Sequence, residues 1–249
     1  MKGDDPLTDL LTTEKISLVY SDGDRNTYAL RDVTIQIPDR KFIGIMGPSG
    51  SGKSSLLYIL SGLKRPTGGE VRLKEYSYAG RPDRELVDLR RTRFGFVFQQ
   101  PYLLVWQTAM ENVLMGAPDL HDEARHKAQT YFDQLGIARL QHKLPSQLSG
   151  GEKQRVCVAR AMMNDPDIIF ADEPTASLDH TNGRLVIDLL SAYRERGTVI
   201  VVTHDPEMLT GADSILMMRD GESQGWVTPD ALAEAGTKSK TISLGDGRP

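Results

Sequence analysis

The sequence predicts an α/β fold built on a mostly parallel sheet with helices on both faces, together with an N-terminal antiparallel β subdomain and an inserted α-helical subdomain. Short apolar runs at 42–47, 167–173 and 198–204 are typical of strands buried in a parallel sheet. Segments with helical spacing of apolar residues separate these runs, as the alternation of strand and helix in such a sheet requires. A glycine-rich turn joins the first run directly to a helix.

The chain opens on an acidic segment, residues 1–13, that we interpret as a flexible leader. This segment lacks the basic and apolar regions of a signal peptide. The sequence then reads KISLVY, a turn-rich SDGDRNT and ALRDVTIQIP up to residue 38, which predicts short antiparallel strands joined by loops. We expect one domain over residues 14–225 and a C-terminal tail over residues 226–249.

The turn after the run FIGIMG carries the pattern GPSGSGKSS and opens the helix SSLLYILSGL. Glycines let the backbone curl closely around a polyphosphate, while backbone N–H groups and the helix N-terminus face its negative charge. This succession of strand, loop and helix predicts a P-loop NTPase core that binds a nucleotide. Lys53 is expected to reach the outer phosphates, and the Ser54 hydroxyl to bind Mg²⁺. The residues of the predicted cradle are Gly47, Ser49, Gly50, Ser51, Gly52, Lys53, Ser54 and Ser55.

A second region follows FGFVFQQ. Within PDLHDEARHKAQTYFDQLGI the apolar residues recur at helical spacing. We therefore predict a mostly helical subdomain inserted at about residues 101–160.

Two later strands end in polar residues. DIIFADEP places Asp172 and Glu173 at the end of one strand, and TVIVVTH places His204 at the end of another. Ligands bind at this edge of an open α/β sheet. Asp172 is suited to holding Mg²⁺, Glu173 to deprotonating an attacking water, and His204 to contacting the terminal phosphate or Glu173. A structural cap at each strand end is the alternative, and their joint occurrence with the phosphate loop favours the catalytic interpretation.

Composition sets limits on the class of protein. The net charge of -4 over 249 residues gives no general reason to expect nucleic acid as a partner. The single cysteine, Cys157, precludes an internal disulfide and lies in an apolar helical segment, where we expect it to be buried. No apolar run approaches the ~20 residues needed to span a bilayer. No metal other than Mg²⁺ is predicted.

The segment LSGGEKQR at 148–155, about twenty residues before Asp172, resembles the signature of the ABC ATPases. Other parts of that family's pattern follow in order over residues 14–222. Gln99 matches the glutamine loop, with the adjacent Gln100 as the alternative. Asp179 in ASLD matches the so-called D loop, and His204 matches the switch histidine.

The resemblance implies that two cassettes pack head to tail around two ATP molecules. Ser149, Gly150, Gly151 and Gln154 would then act on the ATP bound by the partner. An aromatic residue near the N-terminus stacks on adenine in this family, and Tyr20 is our prediction, with Tyr28 as the alternative. The predicted Mg²⁺ ligands are Ser54, Gln99 and Asp172.

Phrases such as YALRDV, IMGPSGSGKS and TAMENV are most similar to the lipoprotein-releasing and macrolide-efflux ATPases. This similarity implies an ATPase that powers export or extrusion by a separate membrane subunit, paired with a second copy of itself or a paralogous cassette. Such a protein lies on the cytoplasmic face of a bacterial cell membrane. An ATPase that transmits force in cell-envelope remodelling and moves no solute is the alternative.

The sequence departs from this branch at Val105 and Trp106, where relatives often carry proline. These two residues end a run of four apolar residues that begins at Leu103. The run predicts either packing between the two lobes or an exposed contact for a short helix of the membrane subunit, anchored by Trp106.

Overall fold

In a computed structural model, the described residues, 9–23, 25–119 and 121–234, form two β-sheets and a set of helices. The strands are β1 (Asp9–Asp22), β2 (Arg25–Pro38), β3 (Phe42–Met46), β4 (Gly68–Leu73), β5 (Tyr76–Ser77), β6 (Phe94–Val97), β7 (Ile168–Asp172), β8 (Thr198–Val202), β9 (Ser214–Arg219) and β10 (Glu222–Val227). The α-helices are α1 (Lys53–Leu60), α2 (Asp83–Arg93), α3 (Ala109–Leu114), α4 (Asp122–Gln134), α5 (Gly150–Met162) and α6 (His180–Ala192).

The larger sheet has six strands in the order β10-β9-β3-β8-β7-β6. Its strands β9, β3, β8, β7 and β6 are parallel, and β10 pairs with β9 in the antiparallel direction. The strands β3, β7 and β8 are buried along their whole length. This confirms the predicted α/β core, because strands covered on both faces are apolar throughout.

Alternate residues of this sheet enter two separate hydrophobic clusters. Phe42, Ile169 and Val199 face the helices α3 to α6, whereas Ile43 and Ile168 face α1 and the smaller sheet. The smaller sheet and α1 thus cover one face of the larger sheet, and α3 to α6 cover the other.

The smaller sheet is antiparallel, in the order β2-β1-β4-β5. Its first strand begins at Asp9, so residues 9–13, predicted as part of a flexible leader, form the start of β1. The reason is pairing on both sides: Leu11 lies opposite Ile37 of β2 and Leu73 of β4 and is fully buried. Residues 1–8 lie outside the described residues.

The predicted helical insertion contains α3, α4, two short 3-10 turns and most of α5. Its interior is built from α4 and α5 side chains, with Phe132, Val156 and Ala159 fully buried. The predicted C-terminal tail, by contrast, starts inside β10, and residues 229–234 are helical. Residues 235–249 lie outside the described part. Among the described residues, no helix combines the length and apolar character needed to cross a bilayer.

Candidate nucleotide-binding and catalytic site

Four adjacent parallel strands bring most of the predicted site residues to one edge of the sheet. β3, β8, β7 and β6 are neighbours, and each ends at this edge. The phosphate loop follows β3, His204 follows β8, Asp172 ends β7, and Gln99 follows β6. Parallel pairing therefore gathers residues that are more than 150 positions apart in the chain.

The phosphate loop requires glycine at two positions because of close backbone contacts. A Cβ at Gly47 would lie 2.1 Å from the Met218 carbonyl oxygen, and one at Gly52 would lie 2.4 Å from the Ala29 carbonyl oxygen. Gly52, with φ of 94°, also caps the N-terminus of α1. The Ser51 hydroxyl oxygen beside Gly47 is buried and has no partner within the described residues. A buried hydroxyl without a partner in a loop of this shape fits a phosphate oxygen.

Lys53 folds back into the same loop. Its Nζ donates hydrogen bonds of 2.9 Å to the carbonyl oxygens of Gly47 and Pro48. The side chain is almost completely buried, which places a positive charge at the centre of the cradle. Ser49 and Gly50 are exposed on the loop, and Ser55 is half-buried on α1.

Asp172 is buried at the end of β7, and α1 supplies a donor to each of its carboxylate oxygens. The Ser54 hydroxyl donates to Oδ1 at 2.9 Å, and the Tyr58 hydroxyl donates to Oδ2 at 2.9 Å. Burial, together with the hydrogen bond to Asp172, raises the pKa of Tyr58 to about 12. A hydroxyl and a carboxylate side by side next to a phosphate cradle fit Mg²⁺, which prefers oxygen ligands and takes several of them from phosphates and water. Tyr58 was not predicted from the sequence.

Glu173 and His204 are in direct contact. His204 Nδ1 lies 3.0 Å from Glu173 Oε1 and 3.1 Å from Oε2. The backbone of Glu173 has φ of 47°, in the left-handed region, and its N–H donates to the Val202 carbonyl at 2.9 Å. Strained conformations of this kind concentrate at functional positions. A carboxylate held by an imidazole can accept a proton from a water molecule.

The geometry does not distinguish the two candidates for the glutamine loop, or the two candidates for stacking on adenine. Gln99 and Gln100 both lie exposed after β6. Tyr20 is 46% exposed and Tyr28 is 47% exposed, so exposure does not separate them. The β1–β2 register pairs Tyr20 with Thr27 and Tyr28 with Val19, which puts the two tyrosine rings on opposite faces of the hairpin.

The predicted signature forms the N-terminus of α5. Ser149 is the N-cap: its Oγ accepts from the Glu152 N–H at 3.2 Å, and its own N–H donates to Glu152 Oε2 at 2.8 Å. This capping box lowers the pKa of Glu152. Ser149 and Gly150 are exposed, and Gly151 is half-buried against Leu178.

Gln154 differs from the other predicted signature residues. It is fully buried, and its Nε2 donates at 2.9 Å to the carbonyl oxygen of Phe98, the residue before Gln99. A side chain without exposed surface does not reach a ligand on another chain in this conformation, so this burial does not support the predicted action of Gln154 on a partner's ATP, which stays a prediction. Helical periodicity explains the burial, since Gln154 faces the same way as the buried Cys157 and Val158.

Asp179 is the N-cap of α6. Its carboxylate accepts the Asn182 N–H at 3.0 Å, and this bond lowers the pKa of Asp179. The side chain is exposed, and two residues earlier the Ser177 carbonyl oxygen lies 4.0 Å from the position of a Cβ on Gly150. Its predicted D-loop role stays a prediction.

Comparison with known proteins agrees with this geometry. The family model described as ABC transporter matches residues 30–176. An uncharacterised ABC transporter ATP-binding protein of Methanocaldococcus jannaschii is 40% identical over 219 residues, covering 86% of this chain and 97% of that protein. The macrolide export ATP-binding/permease protein MacB of Rhodospirillum rubrum is 42% identical over 221 residues, or 87% of this chain. The chain spans only 33% of the length of that export protein.

Among solved structures, a dimeric ATP-binding cassette in a post-hydrolysis state with ADP and phosphate superposes with a TM-score of 0.82. It is 37% identical, and the match covers 88% of this chain and 98% of that one. The phosphate loop, the acidic strand end and the histidine lie together on a fold that this solved cassette shares over 98% of its length. The chain therefore belongs to the ABC transporter family of ATP-binding proteins and is an ATPase.

Proposed function

We propose that this ATPase is the subunit that powers export or extrusion by a separate membrane subunit, through ATP-driven association with a second cassette. The observation that carries the ATP-driven part of the proposal is the convergence of the phosphate loop, Asp172, Glu173 and His204 at one sheet edge. This arrangement provides each group that hydrolysis of a phosphoanhydride needs: charge on the phosphates, a cation site and a base for water.

In the proposed mechanism, Lys53 and the N–H groups at the start of α1 hold the phosphates. Ser54 and Asp172, with Gln99, would hold Mg²⁺, which neutralises charge on the phosphate oxygens when bound. Glu173 accepts the proton of the attacking water. His204, at 3.0 Å from Glu173, keeps that carboxylate turned towards the site.

The second cassette is supported by the surroundings of Gly150. Within the described residues, a Cβ at this position would meet nothing closer than the Ser177 carbonyl at 4.0 Å, and Gly150 is not among the residues with positive φ. The fold of this chain therefore does not require glycine there. Close approach of a ligand bound to another molecule accounts for the glycine at position 150. The similar cassette described above is a dimer.

The membrane subunit is supported by an exposed apolar surface after Gln99, formed by Tyr102, Val105 and Trp106. These side chains are 62%, 66% and 71% exposed. A cleft of about 420 Å³ lies next to Tyr102, since Phe98 and Arg160 in its lining contact the Tyr102 ring and carbonyl oxygen. Large apolar side chains exposed close together in the chain favour a docking site for a partner. The resemblance to an export protein that combines ATPase and permease is consistent with a position on the cytoplasmic face of a membrane.

The proposal is tested by Glu173→Gln, compared with Glu195→Gln, which changes an exposed carboxylate far from the site. We expect Glu173→Gln to lower turnover by about 100-fold or more, because an amide does not accept the water's proton, while ATP affinity stays within about twofold. Phosphate release and nucleotide binding measure the two effects. Turnover of Glu173→Gln close to that of the control would contradict the role of Glu173.

A further inference from the structure

Tyr58 makes a contact with the cation site that the phosphate-loop pattern does not include. It lies four residues after Ser54 on α1, so both hydroxyls project from the same side of the helix towards β7. Ser54 donates to one oxygen of Asp172 and Tyr58 to the other, each at 2.9 Å. One helix therefore holds both oxygens of a carboxylate that is only 6% exposed.

We propose that Tyr58 is a positioning residue for Mg²⁺-dependent nucleotide binding, acting by fixing the orientation of Asp172. This inference rests on the proposed Mg²⁺–ATP site and deepens it. A hydrogen bond to Oδ2 prevents rotation of the carboxylate about its Cβ–Cγ bond, which keeps Oδ1 beside Ser54. The Ser54 oxygen can then bind a cation through a lone pair while its hydroxyl donates its hydrogen bond to Oδ1.

The ring of Tyr58 has a separate structural role, since it packs against the hydrophobic cluster between the sheet and the smaller β layer. Tyr58→Phe keeps this packing and removes only the hydroxyl. The buried Oδ2 then loses its donor, and the carboxylate turns or admits water to regain one. Either change misplaces Oδ1 relative to Ser54. The expected defect is thus in the response to Mg²⁺, separate from the affinity for the nucleotide alone.

The test is direct binding of a fluorescent ATP analogue across a Mg²⁺ titration and in EDTA, with no turnover measured. Tyr76→Phe is the matched control, because the Tyr76 hydroxyl donates to a carboxylate, Glu85 Oε2 at 3.1 Å, away from the site. For Tyr58→Phe we expect the Mg²⁺ concentration at half-maximal binding to rise about 5- to 10-fold, with affinity in EDTA within about twofold of wild type. Tyr76→Phe should match wild type in both conditions.

A second arm places Tyr58→Phe in an Asp172→Asn background, where we expect no further change in the Mg²⁺ response, because the two residues act as one unit. An unchanged Mg²⁺ response in Tyr58→Phe, or an equal loss of affinity with and without Mg²⁺, would overturn the positioning role while leaving the ATPase assignment intact. Binding by the wild-type chain that does not depend on Mg²⁺ would overturn both this inference and the proposed cation site.

Discussion

The two tyrosines of the first hairpin show how strand register places two residues of the same type on opposite faces. Tyr20 and Tyr28 are eight positions apart, equally exposed and each covered by a cation, with Lys64 Nζ 3.9 Å from the Tyr20 ring centre and Arg31 4.7 Å from that of Tyr28. Sequence alone does not separate them. Because they face opposite sides of the hairpin, only one of them can face a nucleotide in the neighbouring cradle.

We predict that Tyr20→Ala weakens ATP binding by about 5- to 50-fold, because stacking of a base on an aromatic ring contributes about 1–3 kcal/mol. Tyr28→Ala is the matched control and should bind ATP like the wild type. Isothermal titration of both variants with ATP and with inorganic triphosphate measures the effect, and triphosphate should bind all three proteins equally. A larger loss of ATP affinity in Tyr28→Ala would assign the stacking role to Tyr28.

Residue patterns predicted the ends of the strands well and missed contacts made across the fold. Asp172, Glu173 and His204 were predictable because apolar strands that end in polar residues mark one edge of a parallel sheet. Tyr58 carried a weak signal, its four-residue spacing from Ser54. Gln154 was assigned to the signature by its place in that pattern, whereas its burial depends on the packing of α5 against β6, which the pattern does not contain.

Among the elements, the segment between β6 and α3 is notable because a single buried side chain organises it. Asn112, fully buried on α3, accepts the Leu104 N–H at 2.8 Å. Its Nδ2 lies within 3.1 Å of the carbonyl oxygens of Leu104, Gln107 and Thr108. These bonds fix a turn that presents Trp106 to the exterior. The predicted alternative in which Trp106 packs between the lobes is therefore wrong, whereas Leu103 is partly buried against the core.

We predict that Trp106→Ala leaves the melting temperature and basal ATPase of the isolated chain nearly unchanged, because the side chain is 71% exposed. In complex with the membrane subunit, the same variant should lose assembly or stimulation. Trp226→Ala, which removes an indole from β10, is the control and should assemble normally.

Asn112→Ala is the control for a variant that does destabilise the fold. It should cost about 2–3 kcal/mol of unfolding free energy, measured by denaturant titration, because it leaves buried backbone groups without partners. If the melting temperature of Trp106→Ala were as low as that of Asn112→Ala, Trp106 would support the fold. That result would contradict its docking role.

For the whole molecule, the predicted architecture of a parallel core with an antiparallel β subdomain and a helical insertion is confirmed. The order of strands was not predictable, because β3 pairs with β8 and β9, which lie more than 150 residues later. The same non-local pairing explains the error at the N-terminus. Residues 9–13 carry only two apolar side chains, Leu10 and Leu11, and pairing with the strands on either side, β2 and β4, makes them part of a sheet.

At this scale we predict that turnover per chain rises with protein concentration while the subunits are largely dissociated, because each site is proposed to need the signature of another cassette. Gly150→Ala should reduce this rise and the ATP-bound dimer seen by size-exclusion chromatography, without lowering the melting temperature. Gly211→Ala is the control, since a Cβ there also has space, with its nearest neighbour at 3.7 Å. Constant turnover per chain from well below to well above the association range would contradict a shared site.

The two edges of the larger sheet have a consequence for the behaviour of the chain in concentrated solution. One edge, β6, is only four residues long, and the other, β10, has an irregular register between Ser223 and Gly225. Short or irregular edges are poor templates for a strand from another molecule. On β2, one of the two outer strands of the smaller sheet, the Arg31 N–H donates a hydrogen bond to the Gly221 carbonyl oxygen at 2.9 Å. These features of the described edges disfavour strand-to-strand association between molecules, although the core is rich in apolar strands of the kind that aggregate when exposed.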